Sequence, residues 1–183
     1  MKVKWLVFAA VSFMVVIACA GIALIGGYRF THSRGATPGS VDAEVWAVAS
    51  CRAYIVGQMG YHDKDRDGDG ELEYANPYTV MAKTGTEGSR YNLISASFAS
   101  ARGAAGKPEN GYVFMDMKSI AGKPIDWKSS FALCATPKIY GKTGVNTFMV
   151  TSGYMIWKKN LGCSKFVEDV PADPAAEGWD LVK

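Results

Sequence analysis

The pattern of apolar residues divides the chain into an N-terminal apolar run, long enough to cross a membrane, and a longer region in which apolar and polar residues are interspersed. Residues 5–27 form an uninterrupted apolar run of 23 residues without a charged side chain. A helix of that length can cross a hydrocarbon core of about 30 Å. Lys2 and Lys4 precede the run, and basic residues favour the cytoplasmic end of a membrane helix. We therefore predict a transmembrane signal anchor at residues 1–27, with the N-terminus in the cytoplasm and the following chain outside.

Two other interpretations of the N-terminal segment stay open. A cleaved signal peptide has an apolar core of about 7–15 residues, which is shorter than this run. Residues 16–19 (VIAC) resemble a lipobox, and Cys19 would then carry a lipid. The chain stays apolar for eight residues after Cys19, which favours the retained anchor.

A linker and a helix are predicted after the anchor. Residues 28–40 contain closely spaced glycines and a proline, which are typical of linkers. Ser40 is a suitable N-cap, and apolar residues then recur at helical spacing. We predict a helix over residues 41–60 whose apolar stripe packs on a sheet. The stripe comprises Val45, Val48, Ala49, Ile55, Val56 and Met59.

The second half of the chain has the aromatic and β-prone runs of a β-sheet. The predicted strands are residues 111–117, 131–136, 147–151 and 154–157, and the last two form a hairpin. A short helix is expected around residues 92–102, and Trp179 is expected to pack back onto the domain. One helix followed by an antiparallel meander predicts an α+β domain over residues 41–183, with the helix on one sheet face.

Residues 61–76 form an acidic loop with the spacing of a calcium-binding EF-hand loop. Such a loop has ligands at positions 1, 3, 5, 7, 9 and 12 and a glycine at position 6. Counting from Asp65 places Gly70 at position 6. The candidate ligands are then Asp65, Asp67, Asp69, the carbonyl of Glu71, Glu73 and Asn76. Because Asn76 replaces the usual bidentate Glu, a solvated acidic turn stays open as the alternative to a structural Ca²⁺ site.

Charge and cysteine content narrow the functional classes. The net charge is +3, and no basic helix or aromatic-basic stripe indicates nucleic-acid binding. Disulfides are permitted in an exported domain, and Cys134 and Cys163 are predicted to pair because both lie in the β-rich half. Cys51 is expected to be a buried thiol. His62, the only histidine after residue 40, is expected in the acidic loop, and a typical zinc site is not expected. No spacing indicates a nucleophile with its base, so we expect a non-catalytic protein.

Several short segments occur in an order that matches a known class of proteins. They are residues 48–55 (VASCRAYI), 73–75 (EYA), 110–114 (NGYVF), 135–137 (ATP), 144–148 (GVNTF), 159–162 (KNLG), 172–174 (ADP) and 178–179 (GW). Over residues 42–181 the chain resembles the pilin-like, membrane-anchored proteins of bacteria, which include type IV pilins and pseudopilins. True pilins carry a Glu at the fifth mature position, whereas residues 1–41 contain no acidic residue. The resemblance implies the fold and the anchoring.

These features together predict a single-pass, non-catalytic accessory subunit of the bacterial cytoplasmic (inner) membrane. Its domain is expected on the periplasmic side, docked on a larger membrane complex. The expected partners are the lipid bilayer and other membrane-protein subunits, and nucleic acid is not expected. The alternative is a minor pilin or pseudopilin-like component of a secretion or filament machine. A third hypothesis is an anchored hydrolase or sugar-binding module that uses the calcium loop.

Overall fold

The computed structural model describes residues 41–66, 68–82 and 92–183. The predicted anchor at residues 1–27 and the linker at residues 28–40 lie outside these ranges. Within the described ranges, no helix has the length and apolar character needed to cross a bilayer.

The described part of the chain has the predicted α+β class, with one main helix and an antiparallel sheet. The helical elements are α1 (Val41–His62), a 3₁₀ helix (Tyr78–Ala82) and α2 (Ala96–Ser100). The strands are β1 (Tyr112–Asp116), β2 (Ser119–Ile120), β3 (Lys123–Pro124), β4 (Ala132–Pro137), β5 (Thr147–Thr151), β6 (Ile156–Lys159), β7 (Asp169–Val170) and β8 (Asp180–Leu181). Ser95 caps α2 through its side chain, which accepts a hydrogen bond from the Phe98 N–H. The predicted short helix is therefore present, over fewer residues than expected.

The main sheet has the strand order β1-β4-β5-β6-β8, and every neighbouring pair is antiparallel. Strands β4 and β5 are buried at every position. Such continuous burial is expected of strands that are covered on both faces. The predicted β5–β6 hairpin is confirmed, but β6 begins at Ile156 rather than at Tyr154. Tyr154 lies in the turn, with φ of +60°.

The two faces of the main sheet contribute to different apolar clusters. Leu133 and Val150 pack with α1, whereas their strand neighbours Cys134 and Met149 pack with a second cluster. Successive side chains of a strand point to opposite faces, which explains this division. Trp179 belongs to the second cluster and is buried, so its predicted return to the domain is confirmed.

A small second sheet, with the order β3-β2-β7, was not predicted. Strands β2 and β7 are parallel, with Ser119 opposite Asp169 and Ile120 opposite Val170. Each of these strands has two residues. Because two residues cannot display a period, the sequence pattern contained no signal for them.

Helix α1 is present as predicted and extends two residues beyond the predicted end, to His62. Its packing face, however, differs from the predicted stripe. The buried residues of α1 include Ala47, Cys51, Tyr54, Ile55, Gln58 and Tyr61. Of the predicted stripe, Ile55 alone is buried; Val45 and Val56 are 61% and 67% exposed. The prediction was wrong because tyrosines bury large ring surfaces despite their hydroxyl groups.

Aromatic rings join α1 to the sheet. The ring of Tyr54 meets that of Tyr78 at 6.2 Å and that of Phe131 at 5.5 Å, both edge to face. Phe98 and Phe114 make a similar contact at 4.6 Å. Edge-to-face pairs stabilise a core by about 0.5–1.5 kcal/mol beyond their area burial. The Tyr54 contacts attach the inner face of α1 to the 3₁₀ helix and to the residue before β4, and the Phe98–Phe114 contact attaches α2 to β1.

Candidate functional site

The first turn of α1 is attached to the loop between β4 and β5 by Glu44. Its carboxylate accepts hydrogen bonds from the backbone N–H groups of Val145 and Asn146, both at 3.1 Å, and from the Asn146 side chain at 2.7 Å. Hydrogen bonds to an ionised group are stronger than those between neutral groups. Glu44 therefore fixes the N-terminal end of the helix.

Two further polar contacts attach α1 along its length. The buried Gln58 side chain donates to the carbonyl of Ala75 at 3.0 Å and accepts from its N–H at 2.7 Å. In the middle of the helix, the Ser50 hydroxyl donates to the Glu109 carboxylate at 3.1 Å. Together with Glu44, these contacts define the rotation of α1 about its own axis.

A close approach on another side of α1 depends on Gly57. A Cβ atom at this position would lie 3.0 Å from a methyl carbon of Ile94 and 3.1 Å from the sulfur of Met81. These distances are at the tight end of ordinary contacts, so the absence of a side chain lets Met81 of the 3₁₀ helix and Ile94 pack against α1.

The outer face of α1 is apolar and exposed. Val45, Val56 and Met59 are large exposed residues on it, and Ala49 and Ala53 are exposed between them. A helix that is apolar on every side is normally covered on every side. We call this surface, formed by Val45, Ala49, Arg52, Ala53, Val56 and Met59, the outer seam.

Charged residues occupy the centre and both ends of the outer seam. Arg52 lies at the centre, and its exposed guanidinium donates to a main-chain oxygen of Lys183 at 3.4 Å. Asp42 and Asp63 are exposed at the two ends. The seam therefore combines apolar surface with one central positive charge, and exposed charges of both signs flank it, because Lys64 is exposed beside Asp63.

The acidic loop after α1 is organised around Asp65. Its carboxylate accepts hydrogen bonds from the N–H groups of Gly68 at 2.7 Å and Gly70 at 2.9 Å. Asp69 similarly accepts from the N–H of Glu71 at 2.8 Å. Gly70 has φ of +88°, a left-handed conformation that glycine adopts without steric cost. Gly70 thus occupies a tight turn at the position where the EF-hand pattern expects one.

The remaining predicted ligands are spread along this loop. Glu71 and Asn76 are exposed, Glu73 is half-buried, and Asp67 lies outside the described residues. Glu71 forms an exposed ion pair with Lys128 at 3.4 Å. Among the residues that the structure describes, no three acidic, histidine or cysteine side chains form a metal-binding group. Carboxylate and carbonyl oxygens are nevertheless the ligands that Ca²⁺ prefers, so the calcium site stays a prediction.

His62 and Tyr74 connect the two ends of the acidic loop. Their rings stack with a centroid distance of 4.3 Å, and the Tyr74 ring meets Phe131 at 4.7 Å. The Tyr74 N–H donates to the carbonyl of Trp127 at 2.7 Å. His62 is the last residue of α1 rather than a loop residue, which corrects the prediction. The loop therefore begins at Asp63 and is closed by packed aromatic rings.

Comparison with known families identifies the domain. Residues 41–179 match the family DUF2950, which is described as a protein family of unknown function. The chain belongs to the DUF2950 family. The match begins at the first residue of α1 and ends at Trp179 in the second apolar cluster. No curated protein and no solved structure matched the chain.

The predicted disulfide of this DUF2950 domain is not formed. Cys134 and Cys163 are both free thiols, with Cys134 buried on β4 and Cys163 exposed. The Cys134 sulfur accepts a hydrogen bond from the Val167 N–H at 3.3 Å, and burial raises the pKa of this thiol to about 12. The two thiols differ in exposure: Cys134 lies in the second apolar cluster, whereas Cys163 is exposed. Cys51 is a buried free thiol, as predicted.

One buried carboxyl group of the DUF2950 domain was not anticipated. Asp116 is at the end of β1, and its Oδ2 accepts a hydrogen bond from the Tyr78 N–H at 3.1 Å. Burial raises the pKa of Asp116 from 3.8 to about 6, although the Tyr78 hydrogen bond and the charge of Arg102 oppose the shift. Among the described residues, its Oδ1 atom has no hydrogen-bond partner. Asp116 thus fixes the start of the 3₁₀ helix, and the burial of its charge costs free energy. Nothing in the sequence pattern distinguished Asp116 from an ordinary surface aspartate.

Proposed function

We propose that this DUF2950 protein is a single-pass, membrane-anchored, non-catalytic accessory subunit. Its domain would dock on a larger membrane complex at the outer side of the bacterial cytoplasmic membrane. The apolar run at residues 5–27 supports the anchoring, and the basic residues before it support the orientation. The single observation that supports docking is the exposed outer seam of α1.

The way α1 is held makes the outer seam suitable for docking. Glu44, Ser50 and Gln58 fix the helix from its inner side, so the exposed residues keep one orientation before a partner arrives. Side chains that are already ordered lose less conformational entropy on binding. The exposed Val45, Val56 and Met59 offer apolar area whose removal from water favours association. A fixed apolar helix face is therefore well suited to a subunit interface.

The proposal is tested by gentle detergent extraction of the full chain from its native membrane, followed by sizing and mass spectrometry. We expect the chain to migrate with a defined set of membrane proteins. Migration as a lone, anchored monomer would contradict the proposal and favour a free-standing binding module.

A minor pilin or pseudopilin-like component is the second candidate. The observation that favours it is the long helix packed on an antiparallel sheet with a second helix face left exposed. N-terminal sequencing of the mature protein distinguishes the two candidates. Cleavage near the N-terminus followed by assembly into filaments supports this candidate, whereas an intact Met1 opposes it.

We further propose that the acidic loop binds Ca²⁺ in a structural role. The two hydrogen bonds to Asp65 and the left-handed Gly70 support this idea because they bring the loop backbone around one carboxylate. The loop connects the end of α1 to Tyr74, so a bound cation would stabilise that connection. Isothermal titration of the purified chain with CaCl₂ tests it directly.

A further inference from the structure

We propose that Asp116 is a pH-sensitive latch: when its carboxyl group is ionised, the 3₁₀ helix Tyr78–Ala82 separates more readily from β1 and α1. The proposal concerns the local opening of one element and is independent of the proposed docking role. It rests on the position of Asp116, on the buried polar atoms beside it and on the contacts that hold the 3₁₀ helix.

Asp116 lies where β1, α1 and the 3₁₀ helix meet. It is the last residue of β1, and its Oδ2 atom accepts the N–H of Tyr78, the first residue of the 3₁₀ helix, at 3.1 Å. The Tyr78 ring in turn meets that of Tyr54 on α1 at 6.2 Å, and both tyrosine side chains are fully buried. One carboxyl group therefore joins the end of β1 to the start of the 3₁₀ helix at the border of the apolar core.

Two buried polar atoms at this junction have no hydrogen-bond partner among the described residues, namely Asp116 Oδ1 and the Tyr54 hydroxyl. Burial, and then the negative charge of Asp116, raise the pKa of Tyr54, although the nearby Gln58 side chain opposes this shift. The Gln58 amide already bonds both main-chain groups of Ala75. A buried polar group without a partner is destabilising, and a buried charge more so. Opening of the junction would hydrate both atoms, and the gain is largest when Asp116 is charged.

The groups that face Asp116 leave its charge poorly compensated. Burial raises the pKa of Asp116 to about 6, although the Tyr78 hydrogen bond and the positive charge of Arg102 oppose the shift. Arg102 follows α2 and is exposed. The pKa values of Tyr54 and Tyr78 are both raised above 10, mainly by burial, so these hydroxyl groups stay neutral near pH 7. Asp116 is therefore the group of this junction that changes charge near pH 6.

The other attachments of the 3₁₀ helix are to α1 and to the segment around α2. The Tyr78 hydroxyl donates to the carbonyl of Phe98 at 3.1 Å, and the Met81 carbonyl accepts the Leu93 N–H at 2.9 Å. The Met81 sulfur lies beside Gly57 of α1. Strands β4 and β5, in contrast, pair with a neighbouring strand on both sides. Separation of the 3₁₀ helix would thus uncover the Gly57 side of α1 and leave these strands paired.

The direction of the pH effect follows from the proton affinity of the two states. In the open state the hydrated Asp116 has its ordinary pKa of 3.8, whereas in the closed state burial raises this pKa to about 6. The closed state binds the proton more tightly, so closure is favoured at low pH and weakens as the pH rises through about 6. With these two values, the equilibrium constant for opening increases about tenfold between about pH 5 and pH 7.5.

Hydrogen–deuterium exchange of the purified full chain at these two pH values, followed by mass spectrometry, tests the latch. After correction for the intrinsic pH dependence of amide exchange, we expect the opening constant of residues 78–82 to be about tenfold larger at the higher pH. Residues 180–182 are the control, because β8 and β1 are opposite edges of the main sheet. Their local opening does not hydrate Asp116, so it should be the same at both pH values.

Urea distinguishes local opening from unfolding of the whole domain. Local opening exposes little surface, so the exchange of residues 78–82 should respond little to low concentrations of urea. The central strands β4 and β5 should exchange through global unfolding and respond strongly. If the 3₁₀ helix and β4 have the same opening constant and the same urea dependence, the helix opens only with the whole domain and the proposal is overturned.

Two variants test the assignment to Asp116. Asp116→Asn should abolish the pH dependence of residues 78–82, because an amide does not titrate. His62→Gln is the matched control, since the His62 ring stacks on Tyr74 a few residues before the 3₁₀ helix, and it should preserve the tenfold change. Equal opening constants at the two pH values in the unaltered chain, a pH dependence that survives in Asp116→Asn, or its loss in His62→Gln would each overturn the proposal.

Discussion

Substitution of Asp116 by Asn should stabilise the domain at neutral pH. Burial raises the pKa of this carboxyl from 3.8 to about 6. The folded state therefore binds the proton more tightly than the unfolded chain does. The contribution of this proton to the free energy of unfolding is complete below about pH 4 and is lost as the pH rises through about 6. A shift of about two pKa units corresponds to about 3 kcal/mol at 1.36 kcal/mol per unit. That is the cost of the buried charge above pH 7.

Asparagine has nearly the same shape as aspartate and carries no charge. Its carbonyl oxygen can replace Oδ2 as the acceptor of the 3.1 Å hydrogen bond from the Tyr78 N–H. The new amide group must itself be accommodated where Oδ1 now lies, and an unsatisfied amide costs about 1–3 kcal/mol. The expected net gain at pH 7.5 is therefore about 1–2 kcal/mol, and the gain should vanish or reverse at pH 4.

Urea unfolding of the purified full chain, followed by tryptophan fluorescence at pH 4 and pH 7.5, measures this difference. Asp180→Asn is a suitable control because Asp180 is an exposed carboxyl group in strand β8. It should change the free energy of unfolding little at either pH. Equal effects of Asp116→Asn at the two pH values, or destabilisation confined to pH 7.5, would refute the reasoning.

Three further predictions concern other contacts. Gly144→Ala should destabilise the fold by about 1–3 kcal/mol in urea unfolding, because the new Cβ would lie 2.2 Å from the Tyr112 hydroxyl oxygen. Gly153→Ala is the control, because its new Cβ would meet only flexible side-chain atoms. Equal stability of the two variants would contradict the packing argument. Glu44→Gln should cost about 1–3 kcal/mol, since it weakens three hydrogen bonds to an ionised acceptor, and an unchanged urea midpoint would count against that role. Saturating Ca²⁺ should raise the thermal midpoint by several degrees, since a ligand at a hundredfold its Kd stabilises the folded state by about 2.7 kcal/mol. Asp65→Asn should abolish this shift, whereas the control Asp173→Asn should not. Absence of heat in a calcium titration of the unaltered chain would contradict the proposed calcium site in the acidic loop.

The elements that were predicted correctly are those with long or continuous patterns. Strand β5 has the predicted bounds, Thr147–Thr151, because each of its residues is buried between two clusters and β-prone. Helix α1 was predicted within two residues of its end. Strands β2, β3, β7 and β8 have two residues each and were missed, since their pairing is determined by distant parts of the chain. Local periodicity carries no information about such pairings.

The candidate site shows a different limit of sequence reasoning. The sequence identified the apolar stripe of α1 containing Val45, Val56 and Met59, but the prediction packed this stripe on the sheet. In the structure, the buried face of α1 instead includes Tyr54 and Tyr61. A periodic pattern indicates that a helix face is apolar, and it does not indicate what covers that face. Likewise, the position of Cys134 and Cys163 in one half of the chain did not indicate that one thiol is buried and the other exposed.

The most direct test of the docking role compares the native-membrane extract of the unaltered chain with that of a seam variant. The variant carries Val45→Gln and Val56→Gln, and a control carries Ile139→Gln at an exposed position outside α1. We expect the unaltered chain and the control to migrate with a defined membrane complex, and the seam variant to migrate alone with an unchanged thermal midpoint. Retention of the seam variant in the complex, or lone migration of the unaltered chain, would contradict the account.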